Sequence, residues 1–388
     1  MRQAMRVLAL STVTFVSLVL LIWVAAGTTA FDNGTASASA AQEPRNLTAL
    51  VGGGQDTNQL LAFFPMNLRV RRGDTVTWRI EGDEIHTVAF TAGTNADPAA
   101  GGIQFPLGVP GEIIPGFAVP VPGGGPTDVM LHPQMAFPTR APGAPVETYG
   151  GSGFFNSGIL SKQPAIPGAP PNDTFSLTFE APGTYPFLCL IHGDRMLGTV
   201  QVVAGDADVP DQAAIDAQAS AEMAPLLALL DQARAQGRLP RNEPGPGGTM
   251  LWFVRAGSSD LFSGDIRHHV MDFLPKDLTV RPGDTVIWGS TYFHSVTFVP
   301  SPPSPEFVIP RFQPDGPPQL VLNPQVILPA KPAAVYDPAR YFNSGDIGPF
   351  SLGGFTWALT FERPGTFEYV CLFHEQMGMK GTITVQPR

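Results

Sequence analysis

Two short segments concentrate the residues able to do chemistry. The first runs Cys189-Leu190-Ile191-His192-Gly193-Asp194-Arg195-Met196-Leu197-Gly198, and the second Cys371-Leu372-Phe373-His374-Glu375-Gln376-Met377-Gly378-Met379-Lys380-Gly381. Together they hold both cysteines of the 388-residue chain. A thiolate, two imidazoles and a weak thioether suit one centre, a trigonal His₂Cys copper with a long axial Met. Each segment supplies three of those four ligands. The second imidazole has to come from another strand, and His86 and His294 stand at matching places upstream. Two cysteines in an exported chain would by default be read as one disulfide. Here they occupy equivalent positions in two copies of one pattern, each facing its own His and Met, so a bridge would empty both donor sets.

What must position these residues is a repeated unit. Phe64-Pro65-Met66-Asn67-Leu68-Arg69-Val70 leads into Gly73-Asp74-Thr75-Val76-Thr77-Trp78, as Leu274-Pro275-Lys276-Asp277-Leu278-Thr279-Val280 leads into Gly283-Asp284-Thr285-Val286-Ile287-Trp288. His86-Thr87-Val88 answers His294-Ser295-Val296, Leu131-His132-Pro133-Gln134 answers Leu322-Asn323-Pro324-Gln325, and Phe155-Asn156-Ser157-Gly158 answers Phe342-Asn343-Ser344-Gly345. Apolar and polar residues alternate at period two between Gly-containing turns, the pattern of antiparallel strands burying one face. The fold class expected is all-β, two tandem β-sandwiches produced by duplication.

Both copies resemble the plastocyanin/cupredoxin family. Its strand Gly-Asp-x-Val-x-Trp leads to an early His ligand, and its closing Pro-Gly-Thr-Tyr/Phe…Cys-x-x-His…Met-x-Gly segment supplies the rest. The closing match is Pro182-Gly183-Thr184-Tyr185-Pro186-Phe187-Leu188-Cys189 in one copy and Pro364-Gly365-Thr366-Phe367-Glu368-Tyr369-Val370-Cys371 in the other. The resemblance implies Greek-key domains and two type 1 copper ions. One would be held by His86, Cys189, His192 and Met196, the other by His294, Cys371, His374 and Met379. The Met-x-Gly register favours Met379 over Met377, and the loop from His192 to Met196 is one residue shorter than its counterpart. The domains expected are a signal peptide or membrane anchor at 1–30, a spacer at 31–45, cupredoxin domains at 46–204 and 249–388, and a helical, Pro/Gly-containing linker at 205–248.

Composition agrees with this organisation. Gly (42) and Pro (41) are abundant and charged residues make up only 14%, which favours short strands and long turns. A net charge of −10 with no basic block argues against nucleic acid as a partner. Arg2 and Arg6 precede an uncharged apolar run from Val7 to Gly27, followed by small residues, which reads as an export signal or an uncleaved anchor. The location expected is periplasmic, extracellular or on the outer face of the cytoplasmic membrane. Asp208 is the expected cap of one or two short helices broken or kinked at Pro225, ahead of a flexible stretch from Pro240 to Gly248. Long insertions, roughly Thr91 to Gly151 and Val299 to Arg340, either cover a sheet edge or interface or shape access to the metal sites.

The function expected is one-electron transfer with protein redox partners through the solvent-facing edges of His192 and His374. A multicopper oxidase or nitrite-reductase-like enzyme would need a further copper and extra histidines, and copper storage or delivery would need more Met or Cys ligands. Only His132, His268 and His269 remain for a further site. His132 is replaced by Asn323 in the other copy, which suggests a turn residue. His268 and His269 are neighbours in an expected strand and should point to opposite faces. Trp78 and Trp288 are expected in the cores.

Overall fold

A computed structural model describes residues 43–92, 118–141, 143–164, 169–237, 240–259, 265–290, 292–348 and 355–387. The expected signal or anchor at 1–30, most of the 31–45 spacer and much of the first insertion lie outside them. The first half contains β1 (Asn46–Gln55), β2 (Asn58–Phe64), β3 (Asn67–Arg71), β4 (Thr75–Ile80), β5 (Ala89–Phe90), β6 (Ala118–Pro120), β7 (Val129–Leu131), α1 (Pro133–Ala136), β8 (Glu147–Tyr149), β9 (Phe155–Asn156), β10 (Thr174–Phe179), β11 (Gly183–Cys189) and β12 (Gly193–Val203). A helix, α2 (Gln212–Gly237), follows. The second half contains β13 (Arg241–Pro244), β14 (Met250–Ser259), β15 (His268–Leu274), β16 (Asp277–Val280), β17 (Asp284–Gly289), β18 (Thr297–Phe298), β19 (Val308–Arg311), β20 (Gln319–Leu322), α3 (Pro324–Ile327), β21 (Phe342–Asn343), β22 (Thr356–Phe361), β23 (Gly365–Val370) and β24 (Lys380–Val385).

The molecule is all-β apart from these helices. In each half two sheets close over a core. The order β3-β12-β11-β5-β9 in the first half is matched by β16-β24-β23-β18-β21 in the second. The period-two alternation does the sorting: along β4, Val76, Trp78 and Ile80 point inward, and along β17 Val286 and Trp288 do the same. Trp78 packs at 5.2 Å from Phe187 and Trp288 at 5.4 Å from Tyr369, ring centre to ring centre, which makes both tryptophans core residues. Each buried Phe of these cores contributes roughly 1.5–3 kcal/mol by leaving water.

The remaining strands do not form two separate sheets. One ten-stranded sheet runs through both halves in the order β22-β17-β14-β15-β2-β1-β4-β10-β8, with β13 also on β14. The junction is the antiparallel pair β2–β15, in which His268 faces Leu60, His269 faces Gln59 and Val270 faces Asn58. Aligning Phe64-Pro65 with Leu274-Pro275 makes Gln59 the counterpart of His269, so each strand meets its own counterpart. The two insertions repeat the arrangement. Their sheet is ordered β19-β20-β7-β6, and β7 meets β20 where Met130 pairs with its counterpart Val321. Two such self-matched junctions are the signature of a local two-fold axis, here inside one chain.

Helix α2 covers the seam. Ala219, Leu226, Leu230 and Ala233 pack on Leu60, Ala62 and Phe64 of β2 and on Val270 and Leu274 of β15. Arg234 ties the halves together, with 2.7 Å contacts to Asp272 on one side and to Thr57 and Asn58 on the other. Three expectations for this region are corrected. Asp211, not Asp208, caps the helix, accepting from the Ala214 N–H at 2.8 Å. Pro225 does not divide it: its exposed position places the missing hydrogen bond on the solvent side, and one 26-residue helix results. The stretch after Pro240 is not simply flexible, since β13 pairs with β14 from Arg241↔Phe253 to Pro244↔Met250.

Candidate metal centres

Each His-Cys-His cluster is assembled from three places. β11 ends on Cys189 and β23 is followed directly by Cys371, so the strand sets the sulfur and the next turn brings back the imidazole three residues on. His86 lies beyond β4, anchored by a two-way backbone pairing with Leu160 at 3.1 and 2.7 Å. His294 lies beyond β17, with its carbonyl accepting from the Ile347 N–H at 2.9 Å.

In the first half, His192 Nδ1 is 3.1 Å from His86 Nδ1 and 3.3 Å from Cys189 Sγ. In the second, His374 Nδ1 is 3.1 Å from His294 Nδ1 and 3.4 Å from Cys371 Sγ, and His294 Nδ1 is 3.8 Å from the same sulfur. The donor atoms of each group lie within 4.8 Å of one another. Bonds of about 2.0 Å to nitrogen and 2.3 Å to sulfur, as in protein metal sites, leave adjacent donors 3 to 4 Å apart, so each cluster fits one ion. Met196 and Met379 are fully buried in the same cores as Cys189 and Cys371, whereas Met377 is only partly buried. The cysteines are free and buried, which removes the disulfide reading.

Burial sets the protonation of the donors. It pushes the Cys189 thiol up and the Cys371 thiol to about 11, and it lowers His86 and His374 to about 3. His192 and His294 are also held well below the usual histidine range, by burial first and by neighbouring imidazoles second. Burial thus favours the neutral thiol and neutral imidazoles, so a cation held by these donors would have to displace the thiol proton. The Thr87 and Ser295 N–H groups donate to the sulfurs of Cys189 and Cys371, both at 3.3 Å. Their hydroxyls accept from the N–H of the residue after each cysteine, at 2.6 Å from Leu190 and 2.9 Å from Leu372.

Several positioning residues were not singled out in the sequence. Asn156 and Asn343, inside the repeated Phe-Asn-Ser-Gly motif, each donate to three carbonyls of α1 or α3 and the residue after it. Ser157 and Ser344 accept from the N–H of Val88 and Val296, two residues beyond each early ligand, at 2.8 and 2.7 Å. Gly52 and Gly257 sit at bulges of β1 and β14 with φ of 68° and 74°. A side chain on either would run into the Nε2 edge of His86 or His294. Glycine within a strand is the available sequence signal for such a close approach.

The unassigned histidines divide. His132 caps α1, its Nδ1 accepting from Gln134 N–H at 3.2 Å as the Asn323 side chain accepts from Gln325 N–H at 3.0 Å in α3, which is the turn role expected. His269 instead places Nε2 at 2.9 Å from Nε2 of His294. His86 has no such neighbour, and its Nε2 has no hydrogen-bond partner among the described residues.

The expected solvent-facing edges of His192 and His374 are corrected. They are only 3% and 5% exposed and border a cavity of about 1310 Å³ between the halves. The insertions help close it, the first through Leu131 and the second through Phe307, Val308 and Leu320. Glu84, also buried, lies between the two rings. Its Oε1 is 4.0 Å from His192 Nε2 and its Oε2 is 3.9 Å from His374 Nε2. The counterpart of Glu84 is Tyr292, which stacks toward His192 at 6.3 Å and carries the Arg195 guanidinium 4.8 Å over its ring.

Residues 262–386 match the family of copper binding proteins described as the plastocyanin/azurin family. No curated protein matches the chain. Among solved structures, oxidised plastocyanin from Dryopteris crassirhizoma is 20% identical over 34% of this chain and 99% of that chain, with a TM-score of 0.19. A mutant amicyanin in its Cu(I) form is 18% identical over 37% of this chain and 87% of that one, also with a TM-score of 0.19. The second half therefore matches the plastocyanin/azurin family of copper-binding proteins, and the protein is cupredoxin-like.

Proposed function

We propose that the protein is an exported electron carrier holding one type 1 copper in each half. The observation that carries this reading is the occurrence, at matching positions, of two buried His-Cys-His clusters in cores that also contain a methionine. His86, Cys189, His192 and Met196 would hold one ion, and His294, Cys371, His374 and Met379 the other. Bound there, copper supplies a one-electron couple. The chain's part is to keep the donors in one arrangement. Strand ends fix the sulfurs, the Leu160 pairing and the Ile347 hydrogen bond fix the early histidines, and backbone N–H groups of Thr87 and Ser295 stabilise thiolate charge. The His and Cys donors are buried, which suits electron transfer more than turnover.

An oxidase or nitrite reductase needs a further copper site. Among the described residues, the two clusters above are the groups of His, Cys, Asp and Glu close enough to hold a metal. Redox partners would be proteins, and the N-terminal apolar segment would direct export or anchor the chain outside the cytoplasmic membrane. Metal analysis with absorption and EPR spectra of the purified protein tests the reading. Two coppers per chain with thiolate-to-copper bands are expected. A third copper with an ordinary type 2 spectrum, or turnover of oxygen or nitrite, would replace the carrier by an enzyme. Cell fractionation tests export.

A further inference from the structure

We propose that the two centres form one redox unit, with electrons exchanged inside the chain between His192 and His374 across the Glu84 carboxylate. This rests on the two-copper reading above and adds the route between the sites. Three features of the molecule carry it.

The first is direction. In both clusters the Nδ1 atoms converge with the sulfur, so the Nε2 edges of His192 and His374 point away from their donor sets. Both edges meet the same carboxylate, one at each oxygen, at 4.0 and 3.9 Å. That is just beyond hydrogen-bond length, leaving only a small side-chain rotation to close either contact.

The second is that the carboxylate is held in place. Gln59 sits at the centre of the β2–β15 junction, and its Oε1 accepts from the N–H groups of Asp83 and Glu84 at 3.0 and 3.2 Å. The Gln59 amide in turn donates to the Asp56 carbonyl at 2.6 Å. Glu84 is 6% exposed and its Oε2 has no hydrogen-bond partner among the described residues. A buried carboxylate oxygen without a partner is costly to keep, unless it serves a donor that comes to it.

The third is number. A two-fold arrangement offers two equivalent positions beside the axis, and two carboxylates there would repel. The chain places Glu84 at one and Tyr292 at the other, with Arg195 over the tyrosine ring. One acceptor is thereby shared by two imidazole N–H donors. The step balances without another reactant: the reduced centre loses one electron, the oxidised centre gains it, and no bond or proton is exchanged. Glu84 acts as a positioning residue, fixing the two ring edges against each other.

The full-length protein loaded with two copper(II) ions is the sample to use. After one-electron pulse reduction, freeze-quench EPR follows redistribution between the two centres, and pulsed dipolar EPR gives their separation. The expected result is a first-order redistribution whose rate does not depend on protein concentration. Glu84→Leu should slow it by roughly tenfold or more, and the isosteric Glu84→Gln by less, with both thiolate bands and the separation retained. Tyr292→Phe should leave the rate unchanged. A rate unaffected in both Glu84 variants, or redistribution only through second-order encounters, overturns the proposal. Absence of the two blue signals in the unaltered protein would instead overturn the copper reading beneath it.

Discussion

The two halves repeat the same donor set, yet they surround it differently. In the second half the outer nitrogen of His294 meets His269 at 2.9 Å, while in the first half the outer nitrogen of His86 faces the glycine bulge and has no hydrogen-bond partner among the described residues. The counterpart of His269 is Gln59, which turns away from the metal cluster to brace the Glu84 loop. One strand position therefore does two jobs, tuning a ligand in one half and orienting a carboxylate in the other. The donor atoms are what the halves share, and the neighbours are what set them apart.

The comparison breaks most completely at the sulfurs. Cys189→Ala should remove the first centre and leave the second, and Cys371→Ala should do the reverse. In each case one copper and one thiolate band remain, as measured by metal analysis and visible absorption. If either change abolished both bands, the halves would not bind independently.

The glycine bulges come next. Gly257→Ala adds a methyl group against His294 and, at 2.8 Å, against His269 Nε2, at a φ of 74°. Strain of about 1–2 kcal/mol from the left-handed backbone adds to about 1–3 kcal/mol of overpacking. Urea unfolding should show that loss of stability, and the second site should release copper first. Gly52→Ala should show the mirror result at the first site. The second-half change should be the more severe, because Gly257 meets two rings where Gly52 meets one.

The smallest effect sharpens the contrast between the early ligands. With Nδ1 on the metal, His294 donates its Nε2–H to His269, which raises the basicity of the ligand and favours the oxidised ion. Removing that acceptor with His269→Leu should raise the potential of the second centre. One hydrogen bond of about 1 kcal/mol corresponds to a few tens of millivolts for a one-electron couple. Redox titration should show the first centre unmoved.

The two His-Cys-His clusters were legible because chemistry restricts their residue types. Only thiolate, imidazole and thioether give this donor set, and each stands on a strand end or tight loop whose pattern repeats. Strand alternation and the buried tryptophans were legible for the same reason, since one-sided burial leaves a period in the sequence. The neighbours were not. His269 lies on β15, 25 residues from His294 and with β14 between β15 and the strand that precedes His294, and local spacing carries no trace of that pairing. Glu84 is one carboxylate among 33 acidic residues, marked out only by its place beside the local axis. That axis arises from β2 pairing with β15, a choice between two strand edges that a sequence of alternating residues leaves open. The same choice turned His192 and His374 inward, against expectation. Pro225 shows the other limit, because a breaker is tolerated where its lost hydrogen bond faces water.

The continuous sheet has a consequence for the chain as a polymer. β2 and β15 would each be an edge strand in a half standing alone, with free N–H and C=O groups, and Leu60, Ala62 and Phe64 of β2 and Val270 and Leu274 of β15 would lose the cover of α2. Such edges template pairing between molecules. Joined through the linker, each edge is consumed by its own counterpart at an effective concentration no second molecule matches. Duplication has thus turned a surface prone to self-association into an internal joint.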